Sequence, residues 1–515
     1  MALSTWLLLQ AGLVLVVGTI IYKIVYNLFI SPLKQFPGPL LYSASSIPYD
    51  IACANGYANK VLVALHDKYG PVVRIRPTEL SYIEGHIWKD AWGFRSGHAE
   101  WAKGESLDYP NGSTGILGAN KEDHRRIRRG LAHAFSNQGL RDQSPRILRY
   151  ADQLMEALGR HARSGPVDMV KWFSWTTTDV IGDLAFGEAF GALRDERQHE
   201  WMSLSFRLLR PVVFFGLLER WGVRPLAAIL LPRDALRGFA ENSRYIADKV
   251  GKRLEYGKDR GDFFDRLLKS DLLADGEKGF RHTEDGPEGF TRGELESTAQ
   301  DLVFAGSETT ATLLAGAVYF LLQNPRVLAK VAAEVRGAFS QEADMTVAST
   351  EPAALPYMDA VLSESIRIYD PVPLFAPRVA PKGGDTVGGV WLPEGTRVCM
   401  AKYVSNRSPR NFARPTEYVP ERWLPRGQGR LAEFDNDNAS GAWQPFSHGA
   451  RNCVGMNLAK AEMHLILAKL LFRFDLCLPA MTDKEKWEWD NWVERQSQWF
   501  LWIKPPLMVD LKERH

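Results

Sequence analysis

The stretch Phe446-Ser-His-Gly449-Ala-Arg451-Asn-Cys453-Val-Gly455 constrains this chain more than any other. One cysteine, one arginine, one aromatic and two glycines stand at fixed offsets. An apolar helical pattern follows through Met456, Ala461, Leu465, Leu470 and Phe474. The glycines let the backbone turn tightly and approach a flat partner closely. Cys453 falls just before a helix start, where free N–H groups and the helix dipole favour a thiolate. Arg451, two residues back, can meet an anionic group. A thiolate held this way suits an axial ligand to haem iron, onto which it pushes electron density. The bland alternative is a buried cysteine in a glycine-rich turn.

The pattern F-x-x-G-x-R-x-C-x-G resembles the haem-binding loop of the cytochrome P-450 monooxygenases at every defining position. The resemblance spans residues 30–510 and implies a mainly α fold with a small β region. It implies haem b (iron protoporphyrin IX) with Cys453 as iron ligand and Phe446, Gly449 and Arg451 around it. Three further stretches follow the family's order. Thr291-Arg-Gly-Glu294 is a capping-box signature, and from it a helical pattern runs without proline to Gln323, stopped by Asn324-Pro325. At ~1.5 Å per residue that helix is roughly 48 Å long. Its middle, Ala305-Gly306-Ser-Glu308-Thr309-Thr310, contains a glycine that costs about 1 kcal/mol in a helix. The composition predicts a widened polar notch; the alternative is a small-residue packing notch. It resembles the family's oxygen-binding motif, which makes Glu308 and Thr309 the catalytic acid–alcohol pair, with the carboxyl linking the notch to bulk water.

Glu364-Ser-Ile-Arg367 places a carboxylate and a guanidinium on one helix face, and the resemblance joins them to Arg422 as a buried structural triad. The basic run from Lys121 to Arg129 sets His124 and Arg128 four residues apart, the spacing at which the family often has Trp and Arg on a haem propionate. His124 departs from that pattern. Arg378 stands at the family's second propionate position. The remaining arginines of the run would form a basic face for an acidic reductase. Phe304, Leu374, Phe375 and the pair Trp499-Phe500 are the candidate substrate contacts.

Residues 2–22 carry no charged side chain, close to the ~20 apolar residues a spanning helix needs. Lys23 and Lys34 follow, which puts the body of the protein on the cytoplasmic side. Pro32 and Phe36-Pro-Gly-Pro39 make a stiff break. The expected division is a membrane anchor over residues 1–30, a proline-rich hinge over 31–40 and one haem-thiolate domain over 41–515. Between 92 and 120 the chain reads as a long loop, and 145–250 as amphipathic helices whose most apolar parts are broken by prolines. A short helix is expected over 263–272.

An apolar content of 45% and a net charge of +2 exclude a disordered or nucleic-acid-coating chain. Four cysteines without metal-like spacing give no disulfide framework and suit a reducing compartment. No flavin or nicotinamide segment is present, so NADPH electrons come from a separate reductase, with cytochrome b5 as a further donor in the family. The expected enzyme sits in the endoplasmic reticulum membrane and inserts one atom of O2 into an apolar natural product. Its overall likeness is to filamentous-fungal members of secondary metabolism such as trichothecene-type hydroxylases. The alternatives are a haem-thiolate enzyme that rearranges, dehydrates or couples an intermediate, and a non-catalytic haem sensor.

Overall fold

The helix Arg292–Gln323 forms because Thr291 and Glu294 cap each other's backbone N–H groups and no proline interrupts the 32 residues that follow. It is the axis of the fold. This computed structural model describes residues 2–104, 111–223, 227–257, 260–265, 281–283, 286–374, 376–439 and 441–514. The axis packs along Met169–Phe186, a helix buried nearly all round, as its lack of a polar face requires. At the crossing a Cβ on Gly306 would lie 2.8 Å from Ile181, so this glycine serves close helix packing. The helix is α throughout, and the widening expected at Gly306 is not seen. The main core is completed by Asn137–Ala162, Pro356–Ile368 and Met456–Arg473.

A five-stranded sheet stands to one side, in the order Val72–Arg76, Glu79–Tyr82, Arg397–Met400, Arg378–Val379 and Ala102–Lys103. Its register sets Arg378 opposite Val398 on one side and Lys103 on the other. The region read as a loop therefore contributes an edge strand, which the weak periodicity around Ala102 hid. Of the helix expected over 263–272, residues 266–272 lie outside the described residues.

Glu200–Arg220 runs unbroken through Pro211, contrary to the reading that proline breaks this apolar region. An interior proline costs about 3 kcal/mol. Burial of Met202, Leu208, Leu209, Leu217 and Leu218 offsets it, at roughly 1.5–3 kcal/mol for each fully buried side chain. At the N-terminus the helix Ala2–Val25 continues as a π-turn over Tyr26–Ile30. Among the described residues two helices are long and apolar enough to span a membrane, Gln10–Ile30 and the partly buried Glu200–Arg220; the first lies near the N-terminus, further along than residues 2–22, and includes Lys23.

Candidate active site

The cysteine loop is closed by its own backbone. The Cys453 N–H donates to the Phe446 carbonyl at 2.8 Å, and a 3-10 turn over Gly449–Arg451 fills the interior. Gly449 has φ +76°, and a Cβ there would collide with the Trp92 carbonyl, so both backbone and space demand glycine. Gly455 differs. Its φ is −86°, and a Cβ would meet only Phe135, at 3.9 Å. Protein packing does not call for that glycine, whereas close approach of a flat group to the loop would. Gly455 caps Met456–Arg473, and Cys453 lies two residues before it.

Cys453 is exposed. Burial pushes its thiol pKa up, while the Gly455 amide and the charges of Arg128 and Lys402 oppose the shift. Cys53 and Cys399 lie in the sheet-side core.

Besides Lys402, five further basic groups among the described residues gather near the loop. His124 and Arg128 come from the helix Lys121–Leu131, Lys103 and Arg378 from paired strands, and Arg451 from the loop itself. Burial pulls the His124 imidazole down to about 3, and Arg451, Lys103, Arg128 and Arg378 add to the effect, so His124 is neutral at pH 7. Burial, helped by the neighbouring arginines, brings Lys103 to about 7 and Arg378 to about 10. Among the described residues, two carboxylates stand near these groups. Glu100 accepts from Arg451 Nε at 2.8 Å, and Asp301 lies near Lys103. Like charges opposed across a sheet are destabilising, so the surplus of positive charge fits a group with two carboxylates.

The partners of these arginines refine the sequence reading. Arg128 donates to the carbonyl and side-chain oxygen of Asn452, at 2.6 and 2.5 Å, tying its helix to the loop beside Cys453. Arg451 also donates to the Ala119 carbonyl at 2.8 Å. Arg378 is buried above the Trp92 ring at 5.6 Å. Lys103 was not legible in the sequence, because only its register with Arg378 brings it here.

On the axis helix, Ala305 is exposed and Phe304 and Thr309 are half-buried, amid neighbours that are buried. Thr309 Oγ1 donates to the Ala305 carbonyl at 2.6 Å. Glu308 turns elsewhere: its carboxylate contacts Lys504 Nζ and lies 3.4 Å from Thr312 Oγ1. It is 5% exposed, so the expected link from Glu308 to bulk water is replaced by a buried ion pair. Adjacent helical residues project about 100° apart, which allows the two side chains to face different surroundings. Behind them, buried Glu462 faces Thr310, and burial pushes its carboxyl up to about 8.

The candidate substrate residues do not form one cluster. Phe304 is half-buried beside exposed Ala305, whereas Leu374 packs against the sheet-side core. Trp499 Nε1 donates to the Ala54 carbonyl at 3.1 Å, and its ring lies against Gly56. Phe500 turns a hairpin corner with φ +68° between Ser497–Trp499 and Leu501–Ile503. Phe375 lies outside the described residues.

Glu364, Arg367 and Arg422 meet with no exposed side-chain surface. Arg367 holds Glu364 through two bonds of 2.8 Å, and Arg422 Nε reaches the same carboxylate at 3.1 Å. Trp423 Nε1 and the Val419 amide complete its shell at 2.9 and 2.8 Å.

The model of the family described as Cytochrome P-450 matches residues 38–499. The chain belongs to this family. Among its relatives are trichothecene C-15 hydroxylase of Fusarium sporotrichioides, 40% identical over 99% of each chain, and averantin hydroxylase of Dothistroma septosporum, 39% identical over 95% of this chain and 88% of the other. Versicolorin B desaturase of Dothistroma septosporum is 38% identical over 95% of this chain and 91% of its own length. A cytochrome P-450 haem-domain crystal structure superposes with a TM-score of 0.72 at 18% identity, covering 93% of this chain and 98% of that one. The protein is thus a haem-thiolate monooxygenase, and family and fold imply haem, a redox partner, a substrate and dioxygen. The surplus of positive charge and the reachable cysteine sulfur fit that haem.

Proposed function

We propose that this enzyme inserts one oxygen atom from O2 into an apolar natural product, by hydroxylation or epoxidation, in a secondary-metabolite pathway of the kind its fungal relatives serve. The observation that carries the reading is one arrangement: a reachable cysteine sulfur, a ring of surplus cations, and a helix face bearing Thr309. Cys453 would hold the iron, and Phe446, Gly449 and Arg451 would shape the loop around the group. Arg378, Arg451, Arg128 and neutral His124 would hold its carboxylates. When bound, the haem supplies activation of dioxygen. Phe304 on the axis helix, with Phe375, would contribute to the apolar walls, whereas Leu374 and Trp499 are engaged in the sheet-side core and against Gly56. Retention of both Glu308 and Thr309 in the sequence favours monooxygenation over rearrangement or dehydration.

The protein's own share of the chemistry is proton delivery. A threonine hydroxyl both donates and accepts. Thr309 Oγ1 donates to the Ala305 carbonyl, and the same hydroxyl would be the group on this helix face able to hold and pass on a proton. Positioned transfer of this kind is worth ~10²–10⁴-fold. Thr309→Ala is therefore expected to bind haem and substrate and to consume NADPH while releasing mostly hydrogen peroxide. Wild-type product per NADPH in that variant would refute the role.

NADPH-cytochrome P-450 reductase, with cytochrome b5 as a further donor, would supply the electrons. The membrane would be that of the endoplasmic reticulum, crossed once by the N-terminal helix, with the catalytic domain cytosolic. The sequons at Asn111, Asn406 and Asn438 test this topology, since sugar is added only on the lumenal side. Asn111 is exposed and is the most informative, whereas Asn406 is buried. No glycan is expected on any of them in microsomes, and a glycan on Asn111 would reverse the orientation.

A further inference from the structure

Lys504 is out of place by composition. Its side chain is 2% exposed, and it follows directly on the strand Leu501–Ile503, where its neighbours anchor the backbone. Trp502 Nε1 donates to the Asp370 carbonyl at 2.8 Å, the Pro505 carbonyl accepts from Trp492 Nε1 at 3.0 Å, and the Leu507 amide donates to Asp168 at 3.0 Å. Held by these contacts, the lysine projects onto the axis helix. Nζ contacts the Glu308 carboxylate and lies 2.7 Å from Thr312 Oγ1. Burial pulls the ammonium down to about 7. As glue between the C-terminal strand and the helix, such a pair is a poor choice, because well-packed apolar residues often do as well or better. What an apolar pair cannot do is hold a proton and give it up.

We propose that Lys504 is a positioning residue for proton delivery, which stores Glu308 as an anion turned from Thr309 and releases it by passing it a proton. In that step one N–H bond of the ammonium breaks and one O–H bond of the carboxyl forms, leaving a neutral amine and a carboxylic acid. The pair carries no net charge before or after, so no charge is stranded in the interior. The neutral amine keeps Thr312 Oγ1 as a hydrogen-bond partner, and the carboxylic acid is free to turn toward the Thr309 side of the helix.

The inference rests on the reading of Glu308 and Thr309 as the proton-handling pair, and the experiment separates the two. Haem-loaded wild type, Lys504→Met, Lys504→Arg, Glu308→Gln and the Lys504→Met/Glu308→Gln double variant are compared by infrared difference spectroscopy and by turnover. Removing the ammonium leaves a buried carboxylate unpaired, and such a group neutralises itself. Lys504→Met should therefore gain the C=O stretch of a protonated carboxylic acid, and the double variant should lack it. Any contribution from Glu462 is common to every sample and cancels. Arginine keeps the positive charge but does not give up its proton. Lys504→Arg should thus show no new carboxylic acid band yet turn over at least tenfold more slowly, within the ~10²–10⁴-fold that positioned proton transfer is worth. The double variant should be no slower than Glu308→Gln, because Lys504 acts through Glu308. Wild-type turnover of Lys504→Arg beside a slow Glu308→Gln would overturn the Lys504 proposal alone, as would a Lys504→Met that folds without the new band. Wild-type turnover of Glu308→Gln would overturn the reading beneath it. The arginine variant preserves the ion pair, so the test survives if Lys504→Met does not fold.

Discussion

Replacing Arg367 by alanine is expected to cost the protein its fold, not merely its chemistry. The guanidinium has five N–H groups, and all five are used. Nε and one Nη2 hydrogen go to Glu364, the other to the Glu417 carbonyl at 2.9 Å, and Nη1 to the carbonyls of Asn406 and Pro415 at 2.6 Å each. Neither Arg367 nor Glu364 has exposed side-chain surface. Removing one member of a buried pair costs about 3–5 kcal/mol, and each acceptor left unsatisfied adds roughly 1–3 kcal/mol. The sum approaches the ~5–15 kcal/mol by which a folded protein is stable. Lysine is not a remedy, since a single ammonium cannot reproduce a planar fork that reaches four residues. Arg367→Ala and Arg367→Lys should both give little folded, haem-binding protein. The half-exposed pair of Lys330 and Glu421 serves as the control: surface pairs are worth about 0–1 kcal/mol, and Lys330→Ala should fold normally. An Arg367→Lys variant that melts at the wild-type temperature would show that the network is not what holds this part of the chain.

How much of this was legible in the sequence depends on how far apart the partners lie. The capping box at Thr291 and Glu294 is a contact across three residues, and residue types at fixed spacing reveal it. The cysteine loop is legible for the same reason, since the Phe446 carbonyl and Cys453 amide are joined by a short turn that Gly449 makes possible. Arg422 joins Glu364 from 58 residues away, and it could be assigned only through resemblance to a family. Lys504 meets Glu308 across 196 residues, and no periodicity or motif marks a lysine after an apolar strand as buried. Lys103 reaches the cation ring through strand register alone. Gly306 shows a different limit. Its cost to the helix was legible, but Ile181, which occupies the space a side chain would need, is visible only once two helices are packed. Pro211 was misread because local preference was weighed without the apolar surface that the surrounding helix buries.

Cys453→Ala is expected to abolish the strongly red-shifted absorption band of the ferrous carbon monoxide complex, while replacement of Cys53, Cys399 or Cys477 leaves it in place. The fold should survive the substitution. The bond that shapes the loop runs from the backbone N–H of Cys453 to the Phe446 carbonyl, and alanine retains it. The residue is exposed, so loss of its side chain opens little new cavity. The other thiols are poor substitutes for physical reasons. Burial pushes Cys53 up to about 11, and its sulfur accepts from Arg76 at 3.5 Å on the sheet side. Cys399 is buried in the sheet, where loss of solvent pushes its thiol well above the usual range. Cys477 ends an outer strand paired with Met508–Glu513. Burial raises the Cys453 thiol as well, but the residue is exposed, and the Gly455 amide and the nearby charges of Arg128 and Lys402 oppose that shift. If the red-shifted band persisted in a folded Cys453→Ala protein, another thiolate would have to hold the iron, and the loop would be reduced to a glycine-rich turn.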